Sequence, residues 1–147
     1  MLDDLRIRDA LPEDCGRLAA LAGQLGYPCD ARQVRERISP YLGGERCRII
    51  VAEAGGVVVG WTSLDLVEHF YLDPFVEISG FVVDEGCRGR GIGKAIMDEA
   101  VEWARGKGCS LLRLKANALR KDAHRFYENY GFRKVKEQYV FVKDLGA

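Results

Sequence analysis

Val82-Val83-Asp84-Glu85-Gly86-Cys87-Arg88-Gly89-Arg90-Gly91-Ile92-Gly93-Lys94-Ala95 runs from an apolar stretch through a glycine-dense basic turn into the opening of an amphipathic helix. Physically it is a strand, an anion site of phosphate size, and a helix. Gly89, Gly91 and Gly93 permit close backbone approach and unusual dihedrals. The first amides of a helix have no intrahelical partner and point outward, and the helix dipole favours an anion there. Arg88, Arg90 and Lys94 add positive charge around the same spot.

The turn alone does not choose its anion. A dinucleotide site needs a parallel sheet and an acidic residue roughly 20 positions further on, where this chain offers Leu, Arg and Lys over 111–115. A nucleoside-triphosphate loop needs Ser or Thr after its lysine to hold magnesium; Gly93-Lys94-Ala95 lacks that hydroxyl.

Outward from the turn, the periodicity sets the order of elements. On its N-terminal side, Phe75 to Val83 is a long strand, and Cys47–Ala54 with Val57–Leu64 form a hairpin about Gly55-Gly56. Residues 65–74 are expected as a mixed connection ended by Pro74. Further upstream, alternation of Leu5 and Ile7 with Arg6 and Arg8 predicts a first strand over 4–9. Pro12 suits a first helical position, although Leu11 has no side-chain acceptor with which to cap it. Leu18, Leu21, Ala22 and Leu25 trace the apolar face of that helix, which Gly26 stops. Asp30 with Gln33 is a capping box opening a second helix, which Pro40 kinks or shortens before Gly43-Gly44. On the C-terminal side come a helix over 91–106, a strand over 110–116, a helix over 121–130, and a last strand from Phe132 to Lys143. The order βααβββαβαβ predicts a mixed α/β, mostly antiparallel sheet with helices on both faces, built as one domain over 1–147.

Composition narrows the partners. Lys plus Arg equals Asp plus Glu, 22 against 22, which argues against a general nucleic-acid binder. Five scattered cysteines without a Cys-x-x-Cys pair fit reduced thiols in the cytoplasm. No signal-like or membrane-spanning run is visible. His69 and His124 lie far apart and no cysteines cluster, so no metal is expected.

Arg88-x-x-Gly91-x-Gly93, placed after the strand 78–83, together with Asn117 and the phrase Phe126-Tyr127-Glu128-Asn129-Tyr130-Gly131-Phe132, resembles the GCN5-related N-acetyltransferase (GNAT) superfamily over the whole chain. The resemblance implies acetyl-CoA as acyl donor and a primary amine as acceptor, joined by direct attack in a ternary complex. Arg88, Gly89, Arg90, Gly91, Ile92, Gly93 and Lys94 would hold the CoA pyrophosphate. Main-chain groups of Phe81 and Val83 would bind the pantetheine arm in a gap where the fourth and fifth strands splay apart. An amide near Val82 or Val83 would polarise the thioester carbonyl. Asn117 would contact pantetheine, and Tyr127 would bind the cofactor and protonate the departing thiolate.

A protonated amine has no lone pair, so attack needs a proton acceptor. Glu77 is the preferred general base. Strand alternation places Glu77, Ser79, Phe81 and Val83 on one face, unless a bulge intervenes. Glu68, His69, Tyr71 and Asp73, with Tyr27 from the first helical pair, are the expected acceptor contacts; the connection over 64–75 also holds Asp65 and Phe75, and its acids and aromatics suit a cationic amine, small or on a peptide. Neither the acceptor's identity nor the donor's acyl group is fixed by these residues. The other class open to the same sequence is an acyl-CoA-binding sensor or an interaction module with a dead amine pocket. Pairing of two copies through the last strand, whose Tyr139, Val140, Phe141 and Val142 are aromatic and β-branched, is expected.

Overall fold

The computed structural model describes residues 4–117 and 120–146. They form two compact units, the first ending at Lys115 and the second beginning at Ala116. No helix among the described residues is long and apolar enough to cross a membrane.

The first unit is a five-stranded sheet in the order β1-β2-β3-β4-β5. Its strands are β1 (Arg6–Asp9), β2 (Cys47–Ala54), β3 (Val57–His69), β4 (Leu72–Val83) and β5 (Leu112–Leu114). The first four pair antiparallel in sequence order, and β5 joins β4 in parallel. Two helices, α1 (Cys15–Leu25) and α2 (Ala31–Arg37), precede β2, and α3 (Ile92–Gly106) links β4 to β5. The β2–β3 turn holds Gly55 at φ 58° and Gly56 at φ 80°, a left-handed pair that matches the twist of a two-residue hairpin.

The core has two sides. Leu18 and Leu21 of α1 pack with Val51, Val58 and Val82, and α2's Val34 leans on them. On the other side Ile92 and Ile96 of α3 pack with Ala52, Val59, Phe81 and Val83. Gly60 lets α3 approach, since a Cβ there would stand 3.0 Å from both Ile96 Cδ1 and the Val82 carbonyl oxygen.

Leu11's missing cap is supplied from three residues on. The Asp14 carboxylate accepts from the Leu11 N–H at 2.7 Å and from the Arg8 guanidinium at 2.8 and 3.0 Å. Burial alone would push Asp14 up, but the Arg8 and Leu11 donors outweigh it and hold the carboxyl below its ordinary value. The capping box of α2 forms as the sequence requires, with Gln33 N–H on Asp30 at 2.8 Å and Asp30 N–H on Gln33 at 3.0 Å. Pro40 shortens this helix: it ends at Arg37, and Ser39–Tyr41 is a separate 3-10 turn.

One expectation is corrected. Residues 65–74 are not a loop; β3 runs to His69 and β4 starts at Leu72, so the connection is a tight hairpin around Phe70 and Tyr71. Their polarity reflects a hairpin tip exposed on both faces. The expected last strand, Phe132 to Lys143, lies in the second unit, where residues 131–146 form no helix or strand of their own. The second unit contains α4 (Lys121–Tyr130) and the residues that follow it.

Candidate active site

The glycine turn forms an open left-handed bend at the head of α3, a shape with room for an anion. Gly89 and Gly91 take φ of 80° and 81°, which a side chain would strain, and nothing lies within 4 Å of where either Cβ would be. Gly91 is the residue before α3, and the helix's first internal bond runs from Ala95 N–H to the Gly91 carbonyl. The amides of Ile92, Gly93 and Lys94 therefore open the helix at the turn. Arg88 and Arg90 have no ion-pair partner among the described residues, whereas the Lys94 ammonium is held by Asp98 at 2.9 Å. Two positive-φ glycines, open space above them and two unpaired guanidinium groups fit a diphosphate.

A polar tie fixes this turn to α1. Asp84 caps the short 3-10 turn Glu85–Cys87. It accepts from Arg17 at 3.0 Å and from Gln24 at 3.3 Å, and the Glu85 N–H donates back to Gln24 at 3.0 Å. The Gln24 amide, the Gly86 N–H and Arg17 hold the Asp84 carboxyl below its ordinary value. Sequence reasoning missed Arg17 and Gln24, because partners some 60 positions apart leave no local signal.

The β4–β5 ladder covers only Val76↔Leu112, Glu77↔Arg113 and Ile78↔Leu114. Ser79 to Val83 run on beyond the last paired residue of β5, Leu114. At that point β4 carries a bulge: Ser63 pairs with Gly80 while Leu64 pairs with Ile78, leaving Ser79 as the extra residue. The bulge splits the expected common face. Phe81 and Val83 pack toward α3. Glu77, opposite Asp65, lies instead on the α1 face shared by Trp61, Ser63 and Gly80.

On that face a cleft of about 360 Å³ is lined by Ala22, Leu25, Tyr27, Trp61, Ser63, Ser79 and Gly80. Trp61 forms its wall. Its indole N–H donates to the Leu18 carbonyl at 3.2 Å, and Gly80 makes room for the ring, because a Cβ there would come within 2.8 Å. The Ser63 and Ser79 hydroxyls share a hydrogen bond of 2.7 Å, and Tyr41 joins them through Ser63. Burial first, then the Asp65 carboxylate, pushes the Tyr41 phenol up, so it stays protonated. Beside this chain of hydroxyls Asp65 and Glu77 face each other across the strands, with Lys115 3.8 Å from Glu77. Like charges in such a pair repel, and the arrangement suits a bound cation.

Of the other expected acceptor contacts, Tyr27 lines the cleft. Glu68, His69, Tyr71 and Asp73 sit at the β3–β4 tip instead. There Glu68 pairs with Arg46 at 2.6 Å, and His69 stacks on Tyr71 with ring centroids 5.1 Å apart. Arg113 lies 4.5 Å over the Phe75 ring on the cleft side of β4.

In the second unit the Asn117 carbonyl meets the His124 ring at 2.7 Å and accepts the Arg120 N–H, which anchors the start of α4. Tyr127 lies edge-on to Phe126 and Phe132, at 5.8 and 6.0 Å. Burial raises its phenol pKa, and the Arg120 charge opposes this.

A helix that opens on a glycine turn beside β4 fits the anionic end of an acyl-CoA donor. Comparison with known proteins agrees. Residues 15–132 match the family model of the acetyltransferase (GNAT) family. An aminoalkylphosphonate N-acetyltransferase of Salmonella typhimurium is 32% identical over 141 residues, 95% of this chain and 90% of that protein. An uncharacterized N-acetyltransferase, YhdJ of Bacillus subtilis, is 42% identical over 69 residues, so the match spans about half of each, 46% and 47%. Among solved structures, the aminoglycoside N-acetyltransferase AAC(6')-Iy in complex with CoA superposes with a TM-score of 0.82 at 19% identity, covering 97% of this chain and 95% of that one. The chain belongs to the GNAT family of acetyl-CoA-dependent N-acetyltransferases.

Proposed function

We propose that the protein transfers an acetyl group from acetyl-CoA directly to the primary amine of a small cationic or zwitterionic molecule. The observation that carries this is the facing pair Asp65 and Glu77, set beside the Tyr41–Ser63–Ser79 hydroxyls on the cleft side of β4. The bulge at Ser79 aims Glu77 at the acceptor while Phe81 and Val83 stay on the donor side. The pyrophosphate of acetyl-CoA binds the amides of Ile92 to Lys94 and the guanidinium groups of Arg88 and Arg90. Main-chain groups of Phe81 and Val83 hold the pantetheine arm, and an amide at Val82 or Val83 steadies the carbonyl oxygen as it gains charge.

Glu77 takes a proton from the ammonium, directly or through water on the Ser63 and Ser79 hydroxyls. The amine nitrogen then attacks the thioester carbonyl and a C–N bond forms; the adduct nitrogen gives up its second proton to water, the C–S bond breaks, and the sulfur leaves as thiolate, water later replacing the proton that Tyr127 donates. Tyr127, kept protonated by burial, returns a proton to that sulfur, and Asn117 contacts the pantetheine amides. Each step is direct transfer, so no cysteine carries the acetyl group.

The acceptor class follows from the cleft's size, its neutral lining and the charges at its margin. Asp65 and Glu77 suit an ammonium, and Arg113 and Lys115 on neighbouring positions suit an acidic substituent on the same molecule. An aminoalkylphosphonate carries both charges and is the substrate named for one relative. Titration calorimetry with acetyl-CoA, followed by thiol release with aminoalkylphosphonates, aminoglycosides, polyamines and peptides, tests this. Turnover with a small charged amine is expected. Tight acetyl-CoA binding without turnover on any acceptor would leave the sensor reading, and absence of binding would sink both.

A further inference from the structure

Helix α1 serves both sites at once. Its last turn gives Ala22, Leu25 and, just past Gly26, Tyr27 to the lining of the acceptor cleft. One turn earlier the Leu18 carbonyl holds the indole of Trp61, the opposite wall. This end of the helix is closed firmly: Gly26 takes φ of 107°, its N–H bonds the Ala22 and Gly23 carbonyls, and the Tyr27 N–H bonds the Ala22 carbonyl at 2.9 Å. Gln24 belongs to the same turn, and its side chain reaches the start of the glycine turn instead of the cleft.

The chemistry of that junction calls for an amide. The Gln24 nitrogen donates to the Asp84 carboxylate at 3.3 Å, and the Gln24 oxygen accepts the Glu85 N–H at 3.0 Å. A carboxylate only accepts and a backbone N–H only donates, so one short side chain meets both when it carries a donor and an acceptor together. Glutamate would lack the donor and lysine the acceptor. Asp84 is already fixed to β3, through its own N–H on the Val59 carbonyl at 2.8 Å and through Arg17, which also donates to the Val58 carbonyl at 2.9 Å. Gln24 reaches one residue further, to Glu85, the first residue of the 3-10 turn Glu85–Cys87 that leads into residues 88–91.

We propose that Gln24 is a positioning residue shared by the two substrates. Acetyl-CoA held at residues 88–94 stills the Glu85–Cys87 turn, and Gln24 passes that order to the last turn of α1, firming the wall against which the amine acceptor lies. The inference rests on the donor site proposed above. Such coupling is reciprocal, so an acceptor in the cleft tightens acetyl-CoA by the same factor. It works through ordering rather than displacement, and its observable is amide protection.

Hydrogen exchange read residue by residue on the full-length chain, with and without saturating acetyl-CoA, tests this. Calorimetry sets the saturating concentration for each protein. Ligand binding also stabilises the fold as a whole, so the Val34 amide of α2, bonded to the Asp30 carbonyl at 3.1 Å, serves as the reference. In the wild type, acetyl-CoA should slow the Gly26 and Tyr27 amides at least about fivefold more than Val34. Gln24→Met keeps length and charge and removes both bonds; there the excess should vanish. A wild-type chain that binds acetyl-CoA without excess protection at 26 and 27 overturns the inference and leaves the donor site standing. So does a Gln24→Met variant that keeps the excess. A chain that fails to bind acetyl-CoA brings down the donor site and the inference together. If Gln24→Met does not fold, Gln24→Ala decides in its place.

Discussion

Glu77 owes its direction to one extra residue. Without the bulge at Ser79 it would share a face with Phe81 and Val83 and point toward α3. With it, Glu77 stands opposite Asp65 on the cleft side. Glu77→Gln keeps size and polarity and removes only the proton acceptor. We expect kcat to fall by roughly 10²–10⁴-fold, with acetyl-CoA affinity measured by calorimetry nearly unchanged. An unaltered kcat would move the base to Asp65 or to water. The glutamate was legible in the sequence as a candidate, but its side of the sheet was not, because a bulge is a relation between two strands. Gly80 has the same character: its need for space is invisible until Trp61 is laid across it.

At the scale of elements, the strand–turn–helix from Val82 to Ala95 was readable because each part is local. Apolar alternation makes the strand, glycine makes the turn, and 3.6-residue periodicity makes α3. Gly91→Ala tests the turn, since the substitution meets no neighbour and strains only φ. A left-handed alanine costs about 1–3 kcal/mol. We expect either a urea midpoint lowered to match or a relaxed turn with acetyl-CoA affinity reduced about tenfold or more, the two read side by side. A variant unchanged in both would refute the strained-turn account. The β3–β4 hairpin was misread for the opposite reason. Asp65, Glu68, His69 and Asp73 look like loop residues because the strands rise into solvent, and polarity there records exposure rather than irregular backbone.

For the whole molecule, two carboxylates tie helices to the sheet and turn: Asp14 through Arg8 and Leu11, and Asp84 through Arg17 and Gln24. Both have folded-state pKa values below the ordinary one. Such a group contributes stability fully above its unfolded pKa, about 3.9 for Asp. The contribution fades as pH falls through the lower folded value. The urea midpoint should therefore stay level from neutral pH to about 5 and decline below about 4, and Asp14→Asn should flatten that acid limb. A midpoint that rises on acidification would contradict the sign. The order of the first four strands could be taken from sequence, since consecutive strands pair with their neighbours. These ties could not, because each joins residues brought together only by folding.

The Ser79 bulge also sets a rule for what β4 tolerates. Its two halves run in opposite phase, so the strand behaves as two short reading frames joined at one residue. Deleting Ser79 would leave the chemistry of every side chain intact and exchange their destinations, turning Val76 and Ile78 toward the cleft and Glu77 into the core. β4 can therefore accept conservative replacement at many positions but no change of length.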